Sequence, residues 1–380
     1  MFERVPLAEV ADLAMGETII AENCDGQGLP IYSAATNDAP WNHSTRFIRK
    51  LKKGTIVVGA RGSIGFPRMP ADDLFGATQT TITVVARGDS VVPRFLFHVL
   101  RGIDFKTLTS QQAIPMLTVA EFGGVSLPRP PINEQGKVVE ILDTLDTTSR
   151  QTEAIIEKLK QVKQGLLHDL LTRGIDANGE LRPPQSQAPH LYKDSPLGWI
   201  PREWDALQLR DVGESVTGST PPSAAHSAWG PGWPFITPVD VLEDHAIDSA
   251  ERSVSSRGAA YIRLLPPRAT LVVCIGSTIG KVGITGVEAC TNQQINALVP
   301  SKNMAPEFVH LAVHRHVEQL RAMAGLQAVP IVNKTSFESM VLPIAPLVEQ
   351  TEIAARMDAT SARIRQEEAS ATKMRALKSG

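Results

Sequence analysis

The residues most open to a catalytic reading sit in one glycine turn and one histidine cluster. Gly276-Ser-Thr-Ile-Gly280-Lys281 has the glycines and the lysine of a phosphate-cradling loop. It leaves three residues between the glycines where that loop needs four, and Val282 stands where a hydroxyl should hold magnesium. The earlier counterpart, Gly62-Ser63-Ile64-Gly65, lacks the lysine, so a tight turn between two strands is the plainer reading. His310, His314 and His316 share a predicted helix, but no cysteine or carboxylate is arranged to complete a zinc site; a solvated face is expected. The sequence has no G-x-S-x-G elbow, no dinucleotide fingerprint and no Asn-Pro-Pro-aromatic tetrapeptide. Cys24, Cys274 and Cys290 have no metal spacing and leave one odd, which suits a reducing cytoplasm. Neither a catalytic residue nor a metal site is expected.

Binding chemistry is better represented. The run RFIRKLKKG gathers Arg46, Arg49, Lys50, Lys52 and Lys53, enough to neutralise several phosphates if they share a face, or else to solubilise a helix surface. Arg61 flanks the first glycine turn and Lys281 sits on the second, while Arg252 and Arg257 follow in the later half. Side chains suited to base edges accompany them: Asn37, Asn42, His43, Gln111 and Gln112 early, and Thr237, Asp240, Asn292, Gln293 and Gln327 later. Net charge is −2, so attraction to nucleic acid has to come from local patches or be shared with basic partners.

These residues fall in two similar globular stretches. With 380 residues, 42% hydrophobic and 21% charged, the chain has the composition of soluble globular protein and room for more than one core. No apolar run reaches the ~18 residues of a membrane span. In residues 1–131, VPLAEVADLAMGETI reads as a short helix; LPIYSAATN, GTIVVGARGSIGF and ATQTTITVV read as strands; PRFLFHVL reads as a helix started by proline. Residues 199–346 repeat the order: LQLRDVGESVTGSTP, ATLVVCIGSTIGKVGI, CTNQQINALV, PEFVHLAVH. Features common to both halves read as scaffold. The stretches Asn37 to Arg46 and Thr237 to Arg257 differ most, and are where two heads would read different sequences.

A long helix follows each stretch. From 132 to 171, Val138, Ile141, Leu145, Ile155, Leu159, Val162 and Leu166 give an apolar stripe at helical spacing. Such a helix is about 55–60 Å long. The pattern returns over 347–380 with Ile353, Met374 and Leu377; Glu134-Gln135 matches Glu349-Gln350 and EKLKQVKQG matches TKMRALKSG. Residues 172–198, rich in Pro, Gly and Ser, read as a linker. The expected fold class is α+β: two similar α/β domains separated by two long antiparallel, coiled-coil-like helices, as a pseudo-two-fold internal repeat.

The ordered set PPINEQGKVVEILDTLD, EKLKQVKQGLLHDLLTRGID, HLYKDSPLGWIPREW, ITPVDV, CIGSTIGKVGI and TNQQIN resembles the specificity subunit of type I restriction-modification systems, over essentially the whole chain. The resemblance implies a non-catalytic reader of double-stranded DNA, with two target recognition domains on a bipartite, asymmetric site and helices that set the gap. It implies two methyltransferase subunits docked on the helices and restriction subunits that can join. S-adenosylmethionine, ATP and magnesium would belong to those partners, with no cofactor in this chain. Two departures stand out: nothing follows Gly380 to match Leu166–Leu171, and no GWIPREW counterpart leads the first stretch. A two-headed scaffold, or an orphan DNA-binding regulator, is the alternative.

Overall fold

The computed structural model describes residues 2–46, 49–109, 115–222, 225–242, 245–324 and 330–379. The chain forms two compact units, Met1–Thr152 with Ser370–Gly380, and Glu153–Ala369.

In the first unit, a four-stranded antiparallel sheet runs in the order Ala11–Met15, Thr81–Ala86, Ile56–Gly59, Gly65–Arg68. The central strands are β-branched and fully buried, with Ile56, Val58, Ile82 and Val84 all inaccessible. Helix Pro93–Arg101 packs Phe95, Leu96 and Leu100 into the same core. A smaller sheet has the order Asn42–Ser44, Leu29–Tyr32, Leu74–Ala77, Leu51–Lys52. The second unit repeats this plan. Gly213–Thr217, Ile295–Pro300, Thr270–Val273 and Val282–Thr285 follow in the same order, extended by Ala246–Ile247. Its smaller sheet has Arg252–Val254, Trp229–Ile236 and Cys290–Thr291, and helix Pro306–His316 takes the place of Pro93–Arg101.

The helix expected over VPLAEVADLAMGETI is reduced to one turn, Leu7–Val10, between strands Arg4–Pro6 and Ala11–Met15. Ladder partners in Ser126–Pro128 and Thr81–Ala86 satisfy this backbone, and tertiary pairing overrides the local helical pattern. Both glycine turns are tight connections between antiparallel strands, with Gly62, Gly65, Gly276 and Gly280 at positive φ.

The first long helix is continuous from Ile132 to Thr172 and the second from Leu347 to Ser379. In the second unit they run antiparallel: Lys160 pairs with Glu368 at 3.0 Å, while Leu170 and Leu171 share a core with Ile353 and Met357. In the first unit, Lys378 near the end of the second helix pairs with Asp146 of the first. The covered positions follow a seven-residue repeat. Leu142, Ser149, Ile156, Lys163 and Leu170 form one line and Leu145, Thr152, Leu159 and Leu166 the other, all buried or half-buried. Gln350, Met357, Ile364 and Ala371, with Ile353, Thr360, Glu367 and Met374, do the same on the second helix.

That seam corrects part of the predicted stripe. Leu145, Leu159, Leu166, Ile353 and Met374 lie on it and Val138 packs against the core of the first head, whereas Ile141, Ile155, Val162 and Leu377 are 60%, 47%, 52% and 61% exposed. All four hold one heptad position, the residue just before the first covered line, so they turn outward while their neighbours Leu142, Ile156, Lys163 and Lys378 are covered.

The same glutamine fastens helix to head in each half. Gln135 is fully buried; its Oε1 accepts from the Val92 N–H at 2.8 Å, and its Nε2 donates to the carbonyls of Pro130 and Ser90 at 2.9 and 3.1 Å. Gln350 accepts from the Ala305 N–H at 2.8 Å and donates to the Ala345 carbonyl at 2.7 Å. Val92 and Ala305 each precede the proline that opens a head helix.

The second unit adds a charged anchor, to which the linker stretch 172–198 contributes. Glu349 accepts from Arg182 at 2.5 and 3.1 Å, from the Trp204 indole at 3.0 Å and from the Ile175 N–H at 2.8 Å. The side chains of Arg182 and Glu349 are 8% and 9% exposed. Gly174, at φ +63°, passes so close that a Cβ would meet Glu349 Oε1 at 2.2 Å and Arg182 at 2.5 Å, so only glycine fits.

Candidate nucleic-acid interface

The small sheet of each unit presents an outer strand next to aromatic and basic side chains. In the first unit that strand is Asn42–Ser44, paired antiparallel with Leu29–Tyr32 so that Asn42 faces Ile31 and His43 faces Pro30. Asn42 Oδ1 accepts from the His43 N–H at 2.8 Å, and Trp41 beside it is 43% exposed. The basic run lies toward the sheet's other edge, where Leu51–Lys52 pairs with Leu74–Ala77. Arg49, Lys50, Lys52 and Lys53 are exposed there and Arg46 is exposed just after the outer strand; the described part of the run is strand and loop, which corrects the helical alternative. Lys53 meets Asp73 at 3.7 Å on open surface, a pair that contributes little. Arg61 is exposed, with its Nε 3.0 Å from Met116 Sδ.

In the second unit the outer strand Arg252–Val254 pairs with Trp229–Ile236, and Arg252 faces Phe235. The Arg252 guanidinium carbon lies 3.5 Å from the centre of the Trp229 ring and 5.8 Å from that of Phe235. Trp229 meets Phe235 edge-on at 5.0 Å, so the platform under the arginine is itself fixed. Arg257 and Tyr261 are exposed just beyond.

Other sequence candidates turn toward the protein. Lys281 Nζ donates to the Pro238 and Val241 carbonyls at 3.3 and 3.1 Å. Asp240 accepts from the Thr237 N–H and hydroxyl at 2.9 and 2.7 Å and from the Glu251 N–H at 3.0 Å. Burial opposes its charge, yet these bonds hold its carboxyl below the usual range. Asn292 closes a turn with Gln294, and exposed Gln293 accepts from the Thr220 hydroxyl at 2.7 Å. Gln111, Gln112 and Gln327 lie outside the described residues.

The histidine cluster is not the solvated face expected. All three side chains are half-buried, and Nδ1 of His310 is enclosed without a hydrogen-bond partner. Burial, helped by nearby His314, pushes the His310 imidazole down to about 4, so it is neutral at pH 7. Among the described residues, no group of three or more His, Cys, Asp or Glu side chains is placed to hold a metal ion. Helix Pro93–Arg101 in the first unit has a different fastening: Arg94 and His98 reach Asp143 at 2.8 and 2.7 Å, and Arg101 reaches Asp146 at 2.9 Å.

Sequence reasoning did not single out Trp229, nor the fastening glutamines. The paired Gln135 and Gln350 in a duplicated segment were the available signal for the latter. For the former it was two tryptophans in the Gly- and Pro-rich run WGPGWPF.

A family model described as the type I restriction modification DNA specificity domain matches residues 1–161 and 201–373. The HindI specificity subunit of Haemophilus influenzae is 24% identical over 324 residues, 70% of this chain and 70% of that protein. Two Methanocaldococcus jannaschii relatives, the MjaIX specificity subunit and the putative MjaX one, are 27% and 21% identical, covering 43% and 71% of this chain. The chain spans only 39% and 62% of those two proteins' lengths. The crystal structure of a type I restriction-modification S subunit from M. genitalium shares the fold, with a TM-score of 0.65 at 14% identity over 100% of this chain and 94% of that one.

Proposed function

We propose, for a chain that belongs to the type I restriction-modification DNA specificity family, that it is the DNA-reading subunit of a modification complex, each head recognising half of a bipartite site. The observation that carries this reading is one framework built twice with different side chains on the outer strand: Asn42 and His43 in one head, Arg252 and Ser253 in the other. A two-stranded antiparallel ribbon fits the major groove, where each base pair presents a distinct donor and acceptor pattern. The exposed cations of 46–53 supply phosphate contacts that hold register without reading sequence.

In this reading residues 1–131 and 199–346 are the recognition domains, and the long helices set the spacing between half-sites. Ile155 and Val162, exposed one heptad apart on the first long helix, suit burial against helices of two methyltransferase subunits. Those partners would supply S-adenosylmethionine chemistry, and restriction subunits the ATP- and magnesium-dependent steps, leaving this chain non-catalytic. A cytoplasmic complex accords with it, and among the described residues no helix is long and apolar enough to cross a membrane.

The test replaces residues 1–131 with the corresponding head of another family member, in cells expressing the methyltransferase partners. Base-modification sequencing should then show a methyl-adenine motif altered in one half only. Alteration of both halves, or of neither, would contradict the two-headed reading.

A further inference from the structure

Strand register places two unlike side chains at one position of the repeated fold. Ile31 and Tyr32 pair in parallel with Gly76 and Ala77, as Phe235 and Ile236 pair with Cys290 and Thr291. Ile31 therefore corresponds to Phe235. Their antiparallel partners on the outer strand are Asn42 and Arg252. The two residues are therefore equivalents in the repeat.

Both side chains are held in a fixed pose. The Arg252 guanidinium carbon sits over the Trp229 ring, 3.5 Å from its centre, whereas Arg263 and Arg268 are committed to Glu214 and Glu307. A stacked guanidinium has lost its rotamer freedom before any ligand arrives, and its edge still presents a fork of N–H donors. The Asn42 amide is oriented by the bond from the His43 N–H, which fixes which atom is oxygen; that oxygen keeps a second lone pair, and the NH2 group points the other way. Arginine pairs bidentately with O6 and N7 of guanine, asparagine with N6 and N7 of adenine.

Resting on the DNA-reading function above, we propose that Asn42 and Arg252 are the specificity-determining residues of the two heads: Asn42 selects adenine in the first half-site, Arg252 guanine in the second. The aromatic neighbours are positioning residues, Trp229 by stacking the arginine.

The experiment uses the full chain with its methyltransferase partners and reads methyl-adenine motifs by base-modification sequencing. Arg252→Asn and Arg252→Lys should each relax or change one base pair of one half-site, with roughly a five- to hundredfold loss of discrimination there, while the other half-site is unchanged. Lysine keeps the charge and stem but not the fork, so it separates base reading from phosphate attraction and from misfolding. Asn42→Arg should alter one base pair in the opposite half-site. A folded Arg252→Lys variant that keeps the wild-type motif, or that weakens methylation equally at every sequence, overturns the assignment. If the wild-type chain confers no bipartite motif at all, the DNA-reading function itself fails, and that result is distinct from a motif the variants leave untouched.

Discussion

Replacing Glu349 with alanine should lower the melting temperature of this chain on the order of ten degrees. The carboxylate sits in the first turn of the second long helix, where the helix dipole favours it, and is 9% exposed. It receives two bonds from Arg182, one from the Trp204 indole and one from the Ile175 N–H. Alanine leaves the buried Arg182 guanidinium only Glu203 at 3.1 Å and the Arg173 carbonyl at 3.2 Å, and strands two further donors. Breaking a buried ion pair from one side costs about 3–5 kcal/mol, and each kilocalorie moves the melting point of a unit this size by about 2–4 °C. Removing both charges, with Arg182→Met and Glu349→Leu together, should recover the part of the loss owed to the unpaired charge, while the Trp204 indole and the Ile175 N–H stay without their acceptor. Thermal unfolding by circular dichroism decides it. A shift under about 2 °C for Glu349→Ala would mean that water reaches the pair and screens it.

Gln350→Leu should cost about 2–4 kcal/mol, with Gln135→Leu close to it. Leucine fills similar volume but leaves the Ala305 N–H and the Ala345 carbonyl without partners in one half, and the Val92 N–H with the Pro130 and Ser90 carbonyls in the other. A buried backbone group left unpaired costs about 1–3 kcal/mol. Each glutamine joins the residue ahead of a head helix to the first turns of a long helix, so its loss should loosen that junction before the sheets unfold. Hydrogen exchange should accordingly rise first at Val92 and Ala305. Equal protection in variant and wild type would assign the bonds no more than local value.

The duplication, both long helices and the repeated order of elements along the chain were legible in the sequence because each leaves a periodic or repeated trace. Pro93 and Pro306 marked helix starts correctly, since proline's fixed φ and missing N–H suit the first turn. Leu7–Val10 was overextended into a helix because the pairing of Ala11–Met15 with Thr81–Ala86 is a long-range fact with no local signature. The exposed Ile141 and Ile155 read as seam residues because each is apolar and stands one position before a covered one, Leu142 and Ile156, and residue type alone does not tell the neighbours apart. The candidate interface was the least legible part. Lys281 and Asp240 looked like surface readers by type, but they are spent on backbone groups of neighbouring loops. Arg252 gains its distinction only from Trp229, 23 positions away in sequence and in van der Waals contact in the fold.

The central claim is that this chain chooses where a partner methylates DNA. Its most direct test is base-modification sequencing of DNA from cells carrying the full set of subunits, with and without this chain. Loss of a single bipartite methyl-adenine motif on removal is the predicted result, and it would read out both half-sites and their gap at once. An identical modification pattern in the two strains, with the partner subunits expressed and folded, would contradict it.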